Sequence, residues 1–435
     1  MDMALIGKSI AGLRRERGFT QESLAVKLGV SGQAVSKWET GAGLPEASLL
    51  IALADALTAT VDEILRPAGE GGRLISFIRR NLAAQKSKML GQVPHISRWQ
   101  PPEGCDMFYS YPAMIALALC SAEAHEEGRP APSMAELNER FRDLMHVTGT
   151  GYGLLWNEKR HLIEELWRCN GLRDSAERAM KYCGRDLLWL DGSESNPDEA
   201  REAIMWSVDR GRPVVMEPAG GIPEFSVVTG YEDGGNVLAG RTYCEECAAR
   251  TNELGMFVNP ARWDEYPDFH ILVIGDKVGQ SYTDKDSMAF ALEMLGRTGA
   301  PGEPNDFGPF AAETTGIGDG ALRKWLEACD TPEHTAALFS VTDIFTYALL
   351  QNSIYTQKCL VSYFKRLGER SNRDVYGAAI QIGIAADNIE RERAGLDALK
   401  DDPKKHAEAC RAHIGHLIDH RESMRGWIET IVEKL

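Results

Sequence analysis

Gln33, Ser36 and Lys37 are polar residues of a short segment in which apolar residues recur at helical spacing. Val35 and Trp38 belong to the apolar set, which predicts a buried face and places the three polar side chains on the outer face. A glutamine can pair with adenine through two hydrogen bonds, and a lysine can donate to guanine. The spacing therefore predicts a helix able to read base edges. The alternative is that Gln33 and Lys37 are ordinary hydrated surface residues.

This predicted helix is one of five short helical runs in the first sixty-five residues. Thr20 and Ser31 stand where a helix N-cap is expected. Gly29 stands where a left-handed residue would end the preceding helix. Two short helices joined by a tight turn that contains glycine form a helix-turn-helix unit. The pattern predicts an all-α N-terminal domain at residues 1–66, which we call the head.

The sequence TQESLAVKLGVSGQAVSKWETG resembles the signature of the lambda-repressor/Cro type (Xre) family of transcriptional regulators, and the resemblance covers residues 4–65. It implies a five-helix, lambda-repressor-like domain whose second helix of the pair enters the major groove. It also implies that Gln21 holds a phosphate or a base, and that Ser31 and Thr40 contact phosphates.

Three further positions take their interpretation from the same resemblance. Arg14 and Glu39 match a pair that the family uses as an internal ion pair, so we expect both to be structural. Gly32 departs from the family pattern, because a polar base reader is common there. Either base reading is weaker at this position, or a close approach of the backbone replaces it.

Charge is unevenly distributed along the 435 residues, whose formal net charge is −16. Residues 1–65 carry six basic and eight acidic groups, whereas residues 66–90 carry six basic groups against Glu70 alone. Residues 91–435 therefore carry a net charge of −19, and a surface that acidic repels a phosphate backbone. We expect any nucleic-acid contact in the first ninety residues. The basic helical linker at 67–92 either adds phosphate contacts or is a hydrated helix face.

The overall composition, with 43% hydrophobic and 26% charged residues, is that of an ordinary globular protein. No apolar run reaches the roughly 18 residues that a membrane span needs, and the N-terminus lacks the pattern of a signal peptide. We therefore expect a cytoplasmic protein without a disulfide scaffold, despite its nine cysteines. Because one helix-turn-helix unit buries little surface, we expect a homodimer on a double-stranded DNA operator.

Residues 93–278 change from helical to strand-like patterns. Helical candidates lie at 108–124, 133–147 and 196–211, and strand candidates lie at 186–190, 213–218, 224–233, 236–243 and 270–277. The turn EDGGN between two of the strands is typical of a hairpin. This order predicts an α+β domain with a mostly antiparallel sheet.

The motif GRPVVMEP…EFSVVTGYEDGGNVLAGRTY resembles that of papain-like cysteine hydrolases, particularly bacteriocin-processing peptidases and acyltransferases similar to butirosin biosynthesis protein H. The helix SYPAMIALAL resembles the helix that carries their nucleophile. That chemistry needs a thiolate beside an imidazole. Here Ser110 stands at the nucleophile position, Glu224 at the histidine position, and Arg241 or Thr242 at the orienting-acid position. The resemblance therefore implies a degenerate hydrolase, a pseudoenzyme with no catalytic residues.

We expect this domain to keep a cleft that senses an amphipathic small-molecule effector. The candidate ligand-binding residues are Cys105, Ser110, Tyr111, Trp156, Glu224 and Tyr231. The alternative for the aromatic members is ordinary core packing. The alternative function is a thiol-dependent acyl hydrolase or acyltransferase that uses Cys105, with His270 as a substitute base. No cofactor is expected.

Residues 279–435 predict a helical bundle for effector binding or dimerisation, interrupted by a long loop at 300–320. The last predicted helix carries four histidines and one cysteine: His406, Cys410, His413, His416 and His420. They form either a metal or proton sensor or a polar outer stripe, and we favour the stripe, because a lone helix seldom supplies a full ligand set. The apolar residues nearby, among them Ile414 and Leu417, fit a dimer seam or intramolecular packing.

Cys244 and Cys247 form a single C-x-x-C pair, for which an inert turn is favoured over a zinc or redox site, since zinc needs four ligands. No metal site is assigned. The sequence as a whole predicts a multidomain, sequence-specific, DNA-binding transcriptional regulator whose C-terminal region senses an effector. An antitoxin-like module with a protein partner is a further alternative.

Overall fold

The structure is a computed structural model of the chain. It describes residues 3–16, 19–57, 59, 64, 87–91, 93–96, 103, 105, 107, 109–152, 154–157, 162–165, 171–219, 224–243, 251–252, 255–261, 269–296, 314–317, 319–329, 359–371, 373–399 and 401–435.

The head consists of short helices around one small core. The helices are α1 (Met3–Glu16), α2 (Gln21–Leu28), α3 (Gly32–Glu39) and α4 (Ala47–Leu57). Their buried side chains include Ile10, Leu24 and Trp38. Of the predicted fifth helix only Ile64 is described, and it is buried in the same core; the rest of that run lies outside the described residues.

Helices and strands alternate in the remainder of the chain, which we call the body. Eight of its helices are α5 (Ser110–Glu126), α6 (Met134–Val147), α7 (Leu172–Tyr182), α8 (Pro197–Asp209), α9 (Asp284–Gly296), α10 (Asp319–Ala328), α11 (Arg373–Asp397) and α12 (Pro403–Lys434). Residues 359–370 are helical as well. Its described strands are β1 (Lys88–Met89), β2 (Leu154–Asn157), β3 (Leu162–Glu165), β4 (Arg185–Asp191), β5 (Val214–Glu217), β6 (Ser226–Glu232), β7 (Val237–Thr242), β8 (Phe257–Pro260), β9 (His270–Lys277) and β10 (Thr314–Ile317).

The main sheet is antiparallel throughout its described pairs. Its strands follow the order β4-β9-β5-β6-β7-β8, and β1 pairs with β6. The predicted α+β arrangement with an antiparallel sheet is therefore confirmed, including the hairpin of β6 and β7 around Gly234. The predicted helical linker is wrong at its end, because Lys88 and Met89 form a strand against β6.

The two faces of this sheet carry different helices. Val215, Val227 and Leu272 pack in one hydrophobic cluster with α5, while Val214 and Val228 pack in another with α8. Successive residues of a strand point to opposite faces, and this alternation explains why the strands read as nearly continuous apolar runs.

A β-bulge in β6 changes which face its last residues occupy. The register with β7 shifts between Val228 and Gly230, and an extra residue of this kind reverses the alternation beyond it. Tyr231 consequently packs with Val228 in the α8 cluster. Gly230 itself must be small, since a methyl group there would lie 2.8 Å from the backbone carbonyl oxygen of Lys88, which β-pairing holds in place.

A second, three-stranded sheet has the order β10-β2-β3. Its strand β10 comes from the predicted loop at 300–320, so the prediction of an irregular loop is wrong there. The pairing of Thr314 with Asn157 also joins the predicted sensor domain to the predicted helical bundle. A boundary at 278/279 therefore cuts through a shared sheet.

The C-terminal helices pack on one another and on the α+β part. Helix α12 contacts α9, α10 and α11, and Ile414, Leu417 and Ile418 are buried with Trp325 of α10. These apolar residues fill an intramolecular core, so of the two alternatives that the sequence offered for them, intramolecular packing is confirmed and the dimer seam is not. Among the described residues, no helix has the length and apolarity that a membrane crossing requires.

Candidate nucleic-acid interface

A three-residue clamp holds the helices of the head together. Arg14 donates from Nε to Glu39 Oε1 at 2.5 Å and from Nη2 to Glu39 Oε2 at 3.0 Å. Gln21 Nε2 donates to the same Oε2 at 2.8 Å. The predicted internal ion pair is thus confirmed, and Gln21 belongs to it. Any contact of Gln21 with DNA stays a prediction.

The charge state of the clamp is set by competing effects. Burial acts to raise the pKa of Glu39, but hydrogen bonds from Arg14 and Gln21 outweigh it, so the pKa lies below its ordinary value. The hydrogen bond to Glu39 in turn raises the pKa of Arg14. Both groups therefore stay charged at neutral pH, which fixes α3 against α1 and α2.

Local capping fixes the start of α2 and both ends of the turn between α2 and α3. The Thr20 hydroxyl accepts from the Ser23 N–H at 3.0 Å, and the Ser23 hydroxyl accepts from the Thr20 N–H at 2.8 Å. Gly29 has φ +66° at the end of α2, and Ser31 Oγ accepts from the Ala34 N–H at 3.2 Å. The predicted caps are confirmed.

Helix α3 presents the polar face that its sequence predicts. Val35 and Trp38 are buried, whereas Gln33 and Lys37 are exposed and Ser36 is half-buried. Thr40, at the C-cap, donates its hydroxyl hydrogen toward the carbonyl oxygens of Ser36, at 3.0 Å, and Lys37, at 3.2 Å. The amide of Gln33 and the ammonium of Lys37 therefore lie on the outer face of α3; their contact with base edges stays a prediction.

Gly7 permits a close approach that sequence reasoning missed. A methyl group at this position would lie 2.5 Å from the carbonyl oxygen of Trp38 and 2.6 Å from that of Glu39. Only glycine lets α1 pack so closely against the end of α3. The single signal in the sequence was a glycine inside a helical run.

Glu22 is a second residue that sequence reasoning missed. A methyl group at Gly32 would lie 3.7 Å from Glu22 Oε1, so this carboxylate borders the space that the absent side chain leaves at the start of α3. Glu22 is exposed on α2. Where the family often has a polar side chain, this chain has Gly32, and the Glu22 carboxylate of the neighbouring helix borders the space left there.

The predicted effector residues do not form one cleft. Tyr111 is packed in the α5 cluster and Tyr231 in the α8 cluster, on opposite faces of the sheet. The Tyr231 hydroxyl donates to Asp209 Oδ1 at 2.7 Å, and burial raises the pKa of Tyr231. A shared cleft for Tyr111 and Tyr231 is therefore wrong, and the bulge in β6 is the physical reason.

Two of the remaining candidates lie at the start of α5 or just before it. Ser110 is its first residue and is buried, Cys105 precedes the helix and is half-buried, and Glu224 precedes β6. The ring of Tyr111 lies 4.6 Å from that of Phe225, between centroids, and its hydroxyl donates to the Leu172 carbonyl at 2.6 Å. The side chain of Trp156 lies outside the described residues.

The candidate histidines have other surroundings than predicted. His270 Nε2 lies 3.4 Å from Asp191 Oδ2 at the β4 edge of the sheet. His406, His413 and His420 are buried and only His416 is exposed, so the polar outer stripe is wrong. Within the described part of the chain no group of three or more possible ligands could hold a metal ion. Cys244 and Cys247 lie outside that part.

A clamped and capped pair of short helices with a polar outer face defines a helix-turn-helix DNA-binding domain. The family model described as helix-turn-helix matches residues 10–64. The uncharacterized HTH-type transcriptional regulator y4dJ of Sinorhizobium fredii is 41% identical over 71 residues, which are 92% of that protein and 16% of this chain. The uncharacterized HTH-type transcriptional regulator YazB of Bacillus subtilis is 34% identical over 67 residues, 97% of that protein and 15% of this chain.

The chain belongs to this family of HTH-type transcriptional regulators. Neither relative extends over more than 16% of the chain, and no solved structure matches it significantly. The resemblance of the body to papain-like hydrolases therefore stays a prediction.

Proposed function

We propose that this regulator binds a specific operator through Gln33 and Lys37 of α3. The observation that carries the proposal is the exposed polar face of a helix whose inner face is locked by the Arg14–Glu39 pair. Ser36 lies between the two readers, and Ser31 and Thr40 flank the helix, where they would meet phosphates. The proposed partner is double-stranded DNA, bound by two copies of the chain in the cytoplasm.

Glu22 gives the proposed interface a further element of base choice. A carboxylate accepts hydrogen bonds and cannot donate them, so in the major groove it favours the amino group of cytosine and repels phosphates. Since Gly32 leaves its side open, Glu22 would read a base beside the one that Gln33 reads. Glu22 would therefore increase the preference for one base and lower the overall affinity for DNA.

The test is selection of binding sites from random duplexes by the full-length protein. We expect one enriched motif for the wild type, degeneracy at one position for Gln33→Ala, and loss of a cytosine preference for Glu22→Ala. An unenriched pool for the wild-type protein would contradict the proposal. Glu408→Ala, which changes an exposed glutamate of α12, serves as the control for a general loss of negative charge.

For the body we propose effector sensing without catalysis, around Ser110, Tyr111 and Glu224. An effector changes DNA affinity only if it binds the two states of the protein with different strength. Ser110, Tyr111 and Phe225 are buried, and the tilted contact between the two rings, at 4.6 Å between centroids, would have to open to admit an amphipathic ligand. Tyr231 is not part of this proposed site.

The alternative function, an acyl hydrolase or acyltransferase, requires Cys105 as nucleophile. Selective labelling of Cys105 by a thioester probe, with loss of turnover in Cys105→Ala, would support it. We expect ordinary maleimide to label Cys105 faster than Cys183, because burial raises the pKa of the Cys183 thiol. Cys120, Cys329, Cys359 and Cys410 are buried. We expect no turnover.

A further inference from the structure

Helix α11 carries an exposed apolar stripe. Tyr376, Ile380 and Ile384 follow one another at intervals of four residues, which places them on one side of the helix. Their exposed fractions are 39%, 36% and 50%. Nothing lies within 4 Å of the place that a methyl group would take at Gly377, so the stripe borders open space.

The stripe differs from other apolar side chains at the surface. The remaining well-exposed large apolar side chains of the described chain, Met3, Val26, Val278 and Leu435, stand singly. Isolated apolar residues are normal on a protein surface, whereas contiguous ones indicate an interface. Three neighbours on one helix therefore form a candidate docking surface.

Charges of opposite sign flank the stripe at equal distances. Arg373 lies seven residues before Ile380 and Asp387 lies seven residues after it. Seven residues are close to two helical turns, so all three share a face. Both charged side chains are exposed. The face thus carries a positive charge before its apolar centre and a negative charge after it, and Arg391, one turn further on, donates to the Asp387 carbonyl oxygen at 3.3 Å.

Such a face is complementary to a second copy of itself when the two helices run antiparallel. A two-fold axis uses the same patch on both subunits. With the axis at Ile380, Arg373 of one copy meets Asp387 of the other twice, and Tyr376 meets Ile384. A parallel pairing would oppose like charges at both ends, which is unfavourable. The pattern therefore selects both the partner and its orientation.

We propose that the α11 stripe is the surface through which two copies of this chain associate, with their α11 helices antiparallel. The inference rests on the proposed function, because a regulator that reads two half-sites needs two heads. It replaces the seam on α12 that the sequence offered, whose residues Ile414, Leu417 and Ile418 are buried within one chain.

The test measures the mass and the dimer dissociation constant of the full-length protein by light scattering and sedimentation equilibrium. Arg373→Asp and Asp387→Arg each create two like-charge pairs per dimer, so we expect each to raise the dissociation constant about ten-fold or more. The double variant reverses both charges of each pair and restores the attraction between them. We therefore expect its dimer dissociation constant to lie within about three-fold of the wild-type value. Ile380→Lys should give a monomer.

The matched control is Val278→Lys, which places the same charge on an apolar residue that is 64% exposed outside α11; it should leave the mass unchanged. A monomeric wild-type protein, unaffected single variants, or a double variant as weak as the singles would overturn the proposal. A lower unfolding temperature at unchanged mass would mean that the chain's own residues cover the stripe, and would overturn it too.

The same samples distinguish this proposal from the function on which it rests. A dimer that obeys the charge reversal but selects no DNA motif would contradict operator binding and leave the dimer surface intact. A protein that selects a DNA motif, and whose mass is unchanged by every stripe variant, would support operator binding and contradict the proposed dimer surface.

Discussion

Arg14 and Glu39 form a two-point ion pair across 25 residues of chain, and the pair joins α1 to the last residue of α3. The orientation of the proposed reading helix therefore depends on a contact that never meets DNA. Gly7 of α1 lies against the backbone at the same end of α3. The contacts between α1 and this end of α3 therefore set the orientation of α3.

Replacing Glu39 by alanine should destabilise the head strongly. The side chains of Arg14 and Glu39 are 11% and 7% exposed, and removing one partner of a buried pair leaves the other charge uncompensated, at a cost of about 3 kcal/mol or more. Hydrogen exchange of the α2–α3 amides in the full-length protein measures this. Gln21→Ala removes one hydrogen bond and should cost about 1 kcal/mol; equal effects of the two variants would contradict the assignment.

The same pair predicts a loss of head stability in acid. The pKa of Glu39 is lower in the folded state than its ordinary value of 4.5. The stabilisation is therefore complete above pH 4.5 and is lost as the pH falls through the lowered value. The protection factors of the α3 amides, which correct the exchange rates for the intrinsic effect of pH, should fall below pH 4.5 in the wild type. A comparable fall in Glu39→Gln would exclude Glu39 as its cause.

Gln33→Ala should weaken specific binding by about 1–3 kcal/mol and relax base choice at one position. The physical reason is the loss of two hydrogen bonds to one base, with the helix itself unchanged. Gel-shift titrations on the selected motif and on a scrambled duplex measure the difference. A loss that is equal on both duplexes would mean that Gln33 does not read bases.

Neutralising Arg79 and Arg80 should flatten the salt dependence of DNA binding if the basic segment touches phosphates. Both residues lie outside the described part of the chain, so the prediction rests on charge alone. Each lost phosphate contact reduces the slope of log K against log salt by about 0.9. Titrations at several salt concentrations measure it, and an unchanged slope would remove the segment from the interface.

A buried histidine should make the body sensitive to acid. His146 Nε2 lies 3.0 Å from Ser287 Oγ, its ring stacks 4.0 Å from that of Tyr363, and Nδ1 contacts the Tyr152 hydroxyl. Burial lowers the pKa of His146 from 6.5 to about 3.

The unfolded chain therefore takes up this proton first, and stability falls as the pH drops from 6.5 towards 3, by about 1.4 kcal/mol per pH unit. The urea midpoint of the full-length protein at several pH values measures the slope. His146→Gln should lower that slope, although His420, whose burial lowers its pKa to about 4, still contributes. An unchanged slope would contradict the prediction.

Local patterns in the sequence predicted the head well. Thr20, Gly29 and Ser31 act as caps because capping depends on residues three or four positions away, and a reader of the sequence sees those residues together. The outward placement of Gln33 and Lys37 follows in the same way from helical periodicity.

Long-range geometry was beyond such patterns. The extra residue in β6 moved Tyr231 to the other face, and nothing in an alternating apolar run marks where a bulge falls. The burial of His406, His413 and His420 follows from helix packing around α12, which the periodicity of one helix does not reveal. Glu22 escaped notice because its relation to Gly32 spans two helices.

The strand pairing of Thr314 with Asn157 has a consequence for biosynthesis. A ribosome releases the head, with its local contacts, long before it delivers β10, so the head can fold while β2 still has an open edge. Distant pairings of this kind form slowly, and unpaired edges invite aggregation. A transcript cut short before codon 317 would thus yield a folded head attached to a body whose three-stranded sheet lacks a complete β10.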